Sequence, residues 1–145
     1  MLIDAATPED LPAVCALLDA ARLPSSDLTA AHLAHFWIAR EGRTVVGAIG
    51  LDPHPPVALL RSLVVADTHR GRGLAHRLVS TLEQTARQHG ITALVLLTTT
   101  ADRFFAPLGY TVIARADAPP VLQATPEFAH LCPSSSVCMR KDLTP

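Results

Sequence analysis

Cysteine is scarce and unpatterned in this chain: Cys15, Cys132 and Cys138 make an odd set without any Cys-x-x-Cys spacing. That argues against both a disulfide framework and a structural zinc site, so the three are read as reduced thiols. No charge of one sign prevails. Twelve basic against 13 acidic residues leave a formal net charge of −1, without the basic excess of a nucleic-acid binder, so no nucleic acid is expected as a partner. No apolar run approaches a membrane span, and Met1-Leu2-Ile3-Asp4 lacks the basic segment and apolar core of a signal peptide. No membrane association is expected, and the expected location is cytoplasmic. The seven histidines are scattered. His32 and His35 stand three apart on an expected helix, where a metal pair is one reading and an ordinary half-buried helix face the preferred one. No metal is expected.

What is present is a chain of 145 residues, 49% of them apolar, which fits one globular domain over residues 1–145. A short strand at Leu2-Ile3 precedes Thr7-Pro8-Glu9-Asp10, where a good N-cap, a first-turn proline and two acids start a helix. Leu11, Val14, Cys15 and Leu18 fall at helical spacing and should face the core, with a break at Leu23-Pro24. A short helix is expected after Thr29, burying Leu33 and Phe36. Phe36 to Arg40 and Thr44 to Leu51 flank Glu41-Gly42-Arg43 as a hairpin. The link Asp52-Pro53-His54-Pro55-Pro56 should stay outside the ladder, because proline has no N–H to donate. Val57 to Val65 reads as the central strand. Leu74, Leu78, Val79, Leu82 and Ala86 line one face of a helix stopping at His89-Gly90. Ile91 to Thr98 is a buried strand, and Thr100 should cap a helix from Ala101 to Leu108. Tyr110 to Arg115 is the next strand.

The organising stretch is Leu59-Leu60-Arg61-Ser62-Leu63-Val64-Val65 running through Arg70-Gly71-Arg72-Gly73 into Leu74-Ala75. Glycines at 71 and 73 let a ligand approach the backbone, and the helix that follows aims its N–H groups and positive dipole end at the turn. That suits a pyrophosphate. The P-loop is excluded, since no Lys-Ser or Lys-Thr follows the second glycine, and the dinucleotide fingerprint would require a third glycine. The spacing Arg-x-x-Gly-x-Ala, filled by Arg70, Gly73 and Ala75 after Leu63-x-Val65, resembles the acetyl-CoA motif of the GNAT superfamily of N-acetyltransferases. A second signature resembles the same superfamily: the run Ala101-Asp102-Arg103-Phe104-Phe105-Ala106-Pro107-Leu108-Gly109-Tyr110. The tail through Glu127 and Leu131-Cys132-Pro133-Ser134 is similar to small acetyltransferases of arsenic-resistance operons and to the acetyltransferase domain that makes N-acetylglutamate. Thr125 and Pro126 are expected to cap a short helix there, and Val137 to Lys141 to form a last strand beside the one from Tyr110. The role of the Leu-Cys-Pro-Ser run stays open.

The resemblance implies an α/β (α+β) fold with a mixed, twisted sheet of six or seven strands and helices on both faces. It implies acetyl-CoA as cosubstrate, without a metal, and a small-molecule amine as acceptor. Cofactor contacts fall on Leu63, Val64, Val65, Arg70, Gly71, Arg72, Gly73, Leu74, Ala75 and Phe105, with the backbone near Leu63 to Val65 polarising the thioester. Where the superfamily often has a tyrosine acid, four residues before the second motif's glycine, this chain has Phe105. Tyr110 is read as core.

Chemistry constrains the acceptor. An α-amino group with a pKa near 8 is made neutral at pH 7 for about 1.4 kcal/mol, whereas a lysine side chain needs about 4.6. A thiol leaving as its anion costs about 2 kcal/mol at pH 7, and correct orientation alone contributes about 7–11, so Phe105 does not preclude catalysis. Arg61 stands where the superfamily often carries an acid facing the acceptor, and its fork would suit an anionic acceptor. A salt bridge to Glu127 or Asp102 is the competing reading for Arg61. Ser62 and Glu127 are further acceptor-side candidates. The function these features imply is N-acetylation of a small, acidic, amino-acid-like compound, such as an arsenical or phosphinic glutamate analogue. A non-catalytic acyl-CoA sensor, a protein or peptide N-acetyltransferase, and a metalloid-binding protein remain alternatives, and a homodimer is among the open oligomeric states.

Overall fold

Local chemistry at the start of the chain sets the first helix. The Asp10 carboxylate accepts from the Thr7 backbone N–H at 2.8 Å and its hydroxyl at 3.1 Å, while the Asp10 N–H donates to the Thr7 carbonyl at 2.9 Å. This reciprocal cap winds Pro8–Asp10 into one 3-10 turn leading into helix α1 (Leu11–Ala20). Val14 and Leu18 are fully buried, with Leu11 and Cys15 packed beside them, as their spacing predicts.

The computed structural model describes residues 2–132 and 135–143. Among them lie strands β1 (Leu2–Ala5), β2 (Phe36–Glu41), β3 (Thr44–His54), β4 (Val57–Val65), β5 (Ala93–Thr98), β6 (Thr111–Ile113) and β7 (Val137–Asp142), in sheet order β1-β2-β3-β4-β5-β7-β6. The sheet is mixed: β4 and β5 run parallel, whereas β1 with β2, β2 with β3, and β7 with both β5 and β6 are antiparallel. The longest helix, α2 (Leu74–Gln88), connects the parallel pair, and α3 (Asp102–Phe105) and α4 (Pro120–Gln123) are single turns. No described helix is long and apolar enough to cross a membrane.

The chain divides into two compact units, Met1–Asp52 with Arg61–Thr85, and Pro53–Leu60 with Ala86–Pro145. In the first, Val14, Leu18, Leu33, Phe36, Ile38, Ala48 and Val64 form a core between α1 and the strands. In the second, Leu59, Val95, Ala118, Leu122, Phe128 and Cys138 form a core of their own, with Val57, Leu97 and Ile113 packed against it.

Five expectations shift. Strand β3 continues through Asp52-Pro53-His54, and the turn begins only at Pro55; a strand accommodates a proline where the ladder does not call on its N–H. After Thr29 the chain forms a 3-10 turn, Ala30–His35, and the Thr29 N–H donates to His32 Nδ1 at 3.0 Å, so that ring closes a cap. The expected helix 101–108 is split into α3 and a 3-10 turn, Ala106–Leu108, because Pro107 has no N–H for the α-helical ladder. Its start is tied by the Thr98 hydroxyl, which accepts from Ala101 N–H at 2.9 Å and Thr100 N–H at 3.3 Å, rather than by Thr100. Strand β6 ends at Ile113, since Arg115–Asp117 is a 3-10 turn. In the tail, the Thr125 hydroxyl donates to the Leu122 carbonyl at 2.6 Å and the Thr125 carbonyl accepts from Ala129 N–H at 2.9 Å, leading into a π-helical turn, Glu127–Leu131. Of the Leu-Cys-Pro-Ser run, Pro133 and Ser134 lie outside the described residues.

Candidate active site

In the first unit, the site is built from the end of β4, a glycine turn and the start of α2. Strand β4 pairs with β5 at Val57, Ala58 and Leu59. Further along, Ser62 has φ +61°, a left-handed conformation inside a strand. Such a residue turns the peptide planes that follow it out of the regular ladder. Val64 is buried in the core, Leu63 and Val65 are half-buried, and Ala66 N–H donates to the Val46 carbonyl at 2.8 Å.

Beyond Val65 a 3-10 turn, Asp67–His69, leads to Arg70 and the glycines. Gly71 and Gly73 have φ of +78° and +75°, and a Cβ on either would meet nothing within 4 Å. Their bare backbone therefore borders open space, the room that an approaching phosphate requires. The first bond of α2 runs from Arg77 N–H to the Gly73 carbonyl at 3.2 Å, which leaves the preceding N–H groups without an acceptor in their own helix. At the helix dipole's positive end, those N–H groups suit an anion. The helix start is seated by Gly47, where a Cβ would lie 3.2 Å from Leu78, 3.3 Å from Leu74 and 3.3 Å from the Val64 carbonyl.

Arg70 folds back over the turn, donating from Nε to the Val65 carbonyl at 3.2 Å and pairing with Asp67 at 2.9 Å while both stay exposed. Arg72 and Gly73 are exposed, Leu74 is buried and Ala75 is half-buried. His69 Nε2 lies 2.9 Å from Glu41 Oε2 and its Nδ1 lies 2.8 Å from the Thr68 hydroxyl, which pins the turn to the β2–β3 hairpin. The hydrogen bond and charge of His69 hold the Glu41 carboxyl below its ordinary range. Neither Glu41 nor His69 stood out in the sequence, because nothing local links residues 28 apart.

Arg61 is where the structure adds most. Both terminal nitrogens donate to Asp27, Nη1 to Oδ2 at 2.5 Å and Nη2 to Oδ1 at 2.8 Å, and Nε donates to the Ser62 hydroxyl at 3.1 Å. The Arg61 side chain is 1% exposed and that of Asp27 14%. Asp27 is thus an acidic partner of Arg61 that the sequence did not suggest, and the fork expected at the acceptor's anion holds this carboxylate. The Arg61 hydrogen bonds, aided by its charge, keep the Asp27 carboxyl below its ordinary range against the opposing effect of burial.

In the second unit, Phe105 is 3% exposed, with its ring edge-on to Phe104 at 5.0 Å and to Tyr110 at 5.2 Å between centroids. Tyr110 is buried, as its core reading predicts, with Lys141 Nζ 5.6 Å from its ring centroid. Glu127 is buried and accepts from the Cys132 thiol at 3.6 Å. Burial pushes the Cys138 thiol up, opposed by Arg115, and likewise raises Cys15 with help from Asp19 and Asp27. Among the described residues no group of three or more His, Cys, Asp or Glu is placed to hold a metal.

The profile of the acetyltransferase (GNAT) family matches residues 6–110, from the loop before α1 to the second aromatic motif. The chain belongs to this family. Among curated relatives, rat N-acetyltransferase 8B is 40% identical over 85 residues, covering 52% of this chain and 38% of its own length. Human N-acetyltransferase 8B is 37% identical over 87 residues, 53% of this chain and 38% of its own. The chain therefore spans less than two-fifths of these relatives. Among solved structures, N-acetylglutamate synthase from Neisseria gonorrhoeae, complexed with coenzyme A and N-acetylglutamate, superposes with a TM-score of 0.85 at 20% identity, covering 99% of this chain and 35% of that one. Rv2747 from Mycobacterium tuberculosis, also complexed with CoA, gives 0.83 at 22% identity and covers 99% and 100%. These likenesses establish the GNAT fold, a seven-stranded mixed sheet flanked by helices.

Proposed function

We propose that residues 1–145 act as one acetyltransferase domain that transfers acetyl from acetyl-CoA to the amino group of a small, acidic, amino-acid-like acceptor in the cytoplasm. The observation that carries this reading is the open glycine turn at the start of α2, directly after a strand kinked at Ser62. The bare backbone of Gly71 and Gly73 and the first-turn N–H groups of α2 hold the pyrophosphate, with Arg72 adding charge. Leu63, Val64 and Val65 present the strand that receives the pantetheine arm, and a backbone N–H in this segment hydrogen-bonds the thioester oxygen. Acetyl-CoA supplies the activated acyl group. A neutral amine attacks its carbonyl carbon, the C–S bond breaks, and the thiolate takes a proton while the amine gives one up to solvent.

An acidic acceptor is supported by the N-acetylglutamate bound to the Neisseria enzyme, whose fold this chain shares. Arg61 enters the proposal through its hold on Asp27 and Ser62 rather than as a direct contact, and Glu127 is proposed on the acceptor side. A second reading, an acyl-CoA sensor without turnover, is favoured by one observation: Phe105, in place of the tyrosine acid, is packed between two aromatic rings. A thiol-release assay with acetyl-CoA separates the two. It should show turnover that depends on an added amine, fastest with glutamate or its phosphinic and arsenical analogues. Bound acetyl-CoA with no turnover across the panel would establish the sensor.

A further inference from the structure

Ser62 holds a backbone conformation that residues with a Cβ seldom adopt, and its surroundings show what holds it there. Its hydroxyl accepts from Arg61 Nε, and the other two nitrogens of the same guanidinium are fixed on Asp27. A guanidinium is planar and rigid, so seating two of its prongs on a carboxylate fixes the direction in which Nε points. The hydroxyl of Ser62 is thereby given one place to go, in a nearly dry setting where the Arg61 side chain is 1% exposed.

We propose that Asp27 and Arg61 form a positioning clamp that keeps Ser62 left-handed and so aims the backbone N–H groups of Leu63 to Val65 at the thioester oxygen. The clamp rests on the acetyltransferase reading given above. Released from it, Ser62 relaxes towards the extended region that an ordinary strand residue prefers, and the next peptide plane rotates. A donor for a developing oxyanion works only when it is already aimed, so rotation lowers kcat without touching the phosphate site. Lysine at 61 keeps the charge but is a point donor, unable to serve the Asp27 carboxylate and the Ser62 hydroxyl together.

The test compares Arg61→Lys and Asp27→Asn, each with and without Ser62→Gly, with the unaltered protein, at a temperature where circular dichroism shows all of them folded. The clamp predicts at least a tenfold loss of kcat with KM for acetyl-CoA within twofold. It also predicts at least tenfold faster hydrogen exchange at the amides of residues 62–65. Adding Ser62→Gly should raise kcat of Arg61→Lys at least threefold, because glycine takes a positive φ unaided. Two results would overturn the clamp: unchanged kcat with a raised KM for the acceptor alone, which makes Arg61 a direct anchor, or kcat falling in step with melting temperature and not recovered by glycine. If the unaltered protein releases no thiol from acetyl-CoA, the acetyltransferase reading fails. Exchange at residues 62–65 then decides the clamp alone, fast in both variants in its favour and unchanged against it.

Discussion

Asp27 stays charged in a nearly dry place because Arg61 faces it with two hydrogen bonds. Its folded carboxyl therefore titrates below its ordinary value of 3.8, and the sign of the linkage follows. The pair contributes its full stability above that ordinary value and loses it as pH falls through the lower, folded one. Denaturation midpoints should drop more steeply between about pH 5 and pH 2 in the unaltered protein than in Asp27→Asn. At neutral pH that variant should be weaker by about 3 kcal/mol, the low end for stranding one partner of a buried pair, since Asp27 keeps some exposure. Equal pH slopes in the two proteins would show that Asp27 is not the titrating group. The same scale decides Phe105. The profile of kcat against pH should have no descending limb near about pH 10, where a tyrosine acid would ionise, and Phe105→Tyr should introduce one. A hydroxyl added among those rings without a partner should also cost about 1–3 kcal/mol of stability by urea titration. A limb already present in the unaltered protein would mean that another acid serves the leaving thiol.

At the scale of the element, the glycine turn and α2 were legible because their signals are local: glycines at 71 and 73, apolar residues at helical spacing, and a glycine stop. The hairpin, β4, α1 and β7 were legible for the same reason. Misjudged boundaries cluster where one residue has two uses. Pro53, a breaker by its lack of an N–H, fits within β3, whereas Pro107 does break its helix. The single turn of α4 at Pro120–Gln123 opens on a first-turn proline, but it is too short to show helical periodicity. Asp27 could not have been found, because it meets Arg61 across 34 residues and no spacing rule reaches that far. The turn's own test is substitution at Gly73. Its φ of +75° makes any side chain strained by about 1–2 kcal/mol, yet a Cβ there touches nothing. Gly73→Val should therefore leave a folded protein whose acetyl-CoA affinity has fallen at least a hundredfold by calorimetry. Gly47→Val, which crowds Leu74 and Leu78 where α2 is seated, should chiefly lower the melting temperature. Undiminished affinity in folded Gly73→Val would place the pyrophosphate elsewhere.

At the scale of the whole molecule, the fold was legible from two motifs in the right order, and the family match over residues 6–110 covers that span. The tail beyond it was less so, since its π-helical turn at Glu127–Leu131 follows no simple periodicity. The choice of acceptor amine under the proposed activity depends on how side chains distant in sequence converge, as Asp27 and Arg61 do across 34 residues. The proposed reaction moves an acetyl group from a thioester to a nitrogen. Acetyl-CoA labelled on its acetyl carbons, incubated with the protein and an equimolar mixture of amino acids, should yield label on the α-nitrogen of the acidic members, and Gly73→Val should abolish it. Label on basic side chains or peptide amines alone would contradict the acidic-acceptor claim. Label remaining wholly on coenzyme A, despite binding, would contradict the acetyltransferase itself.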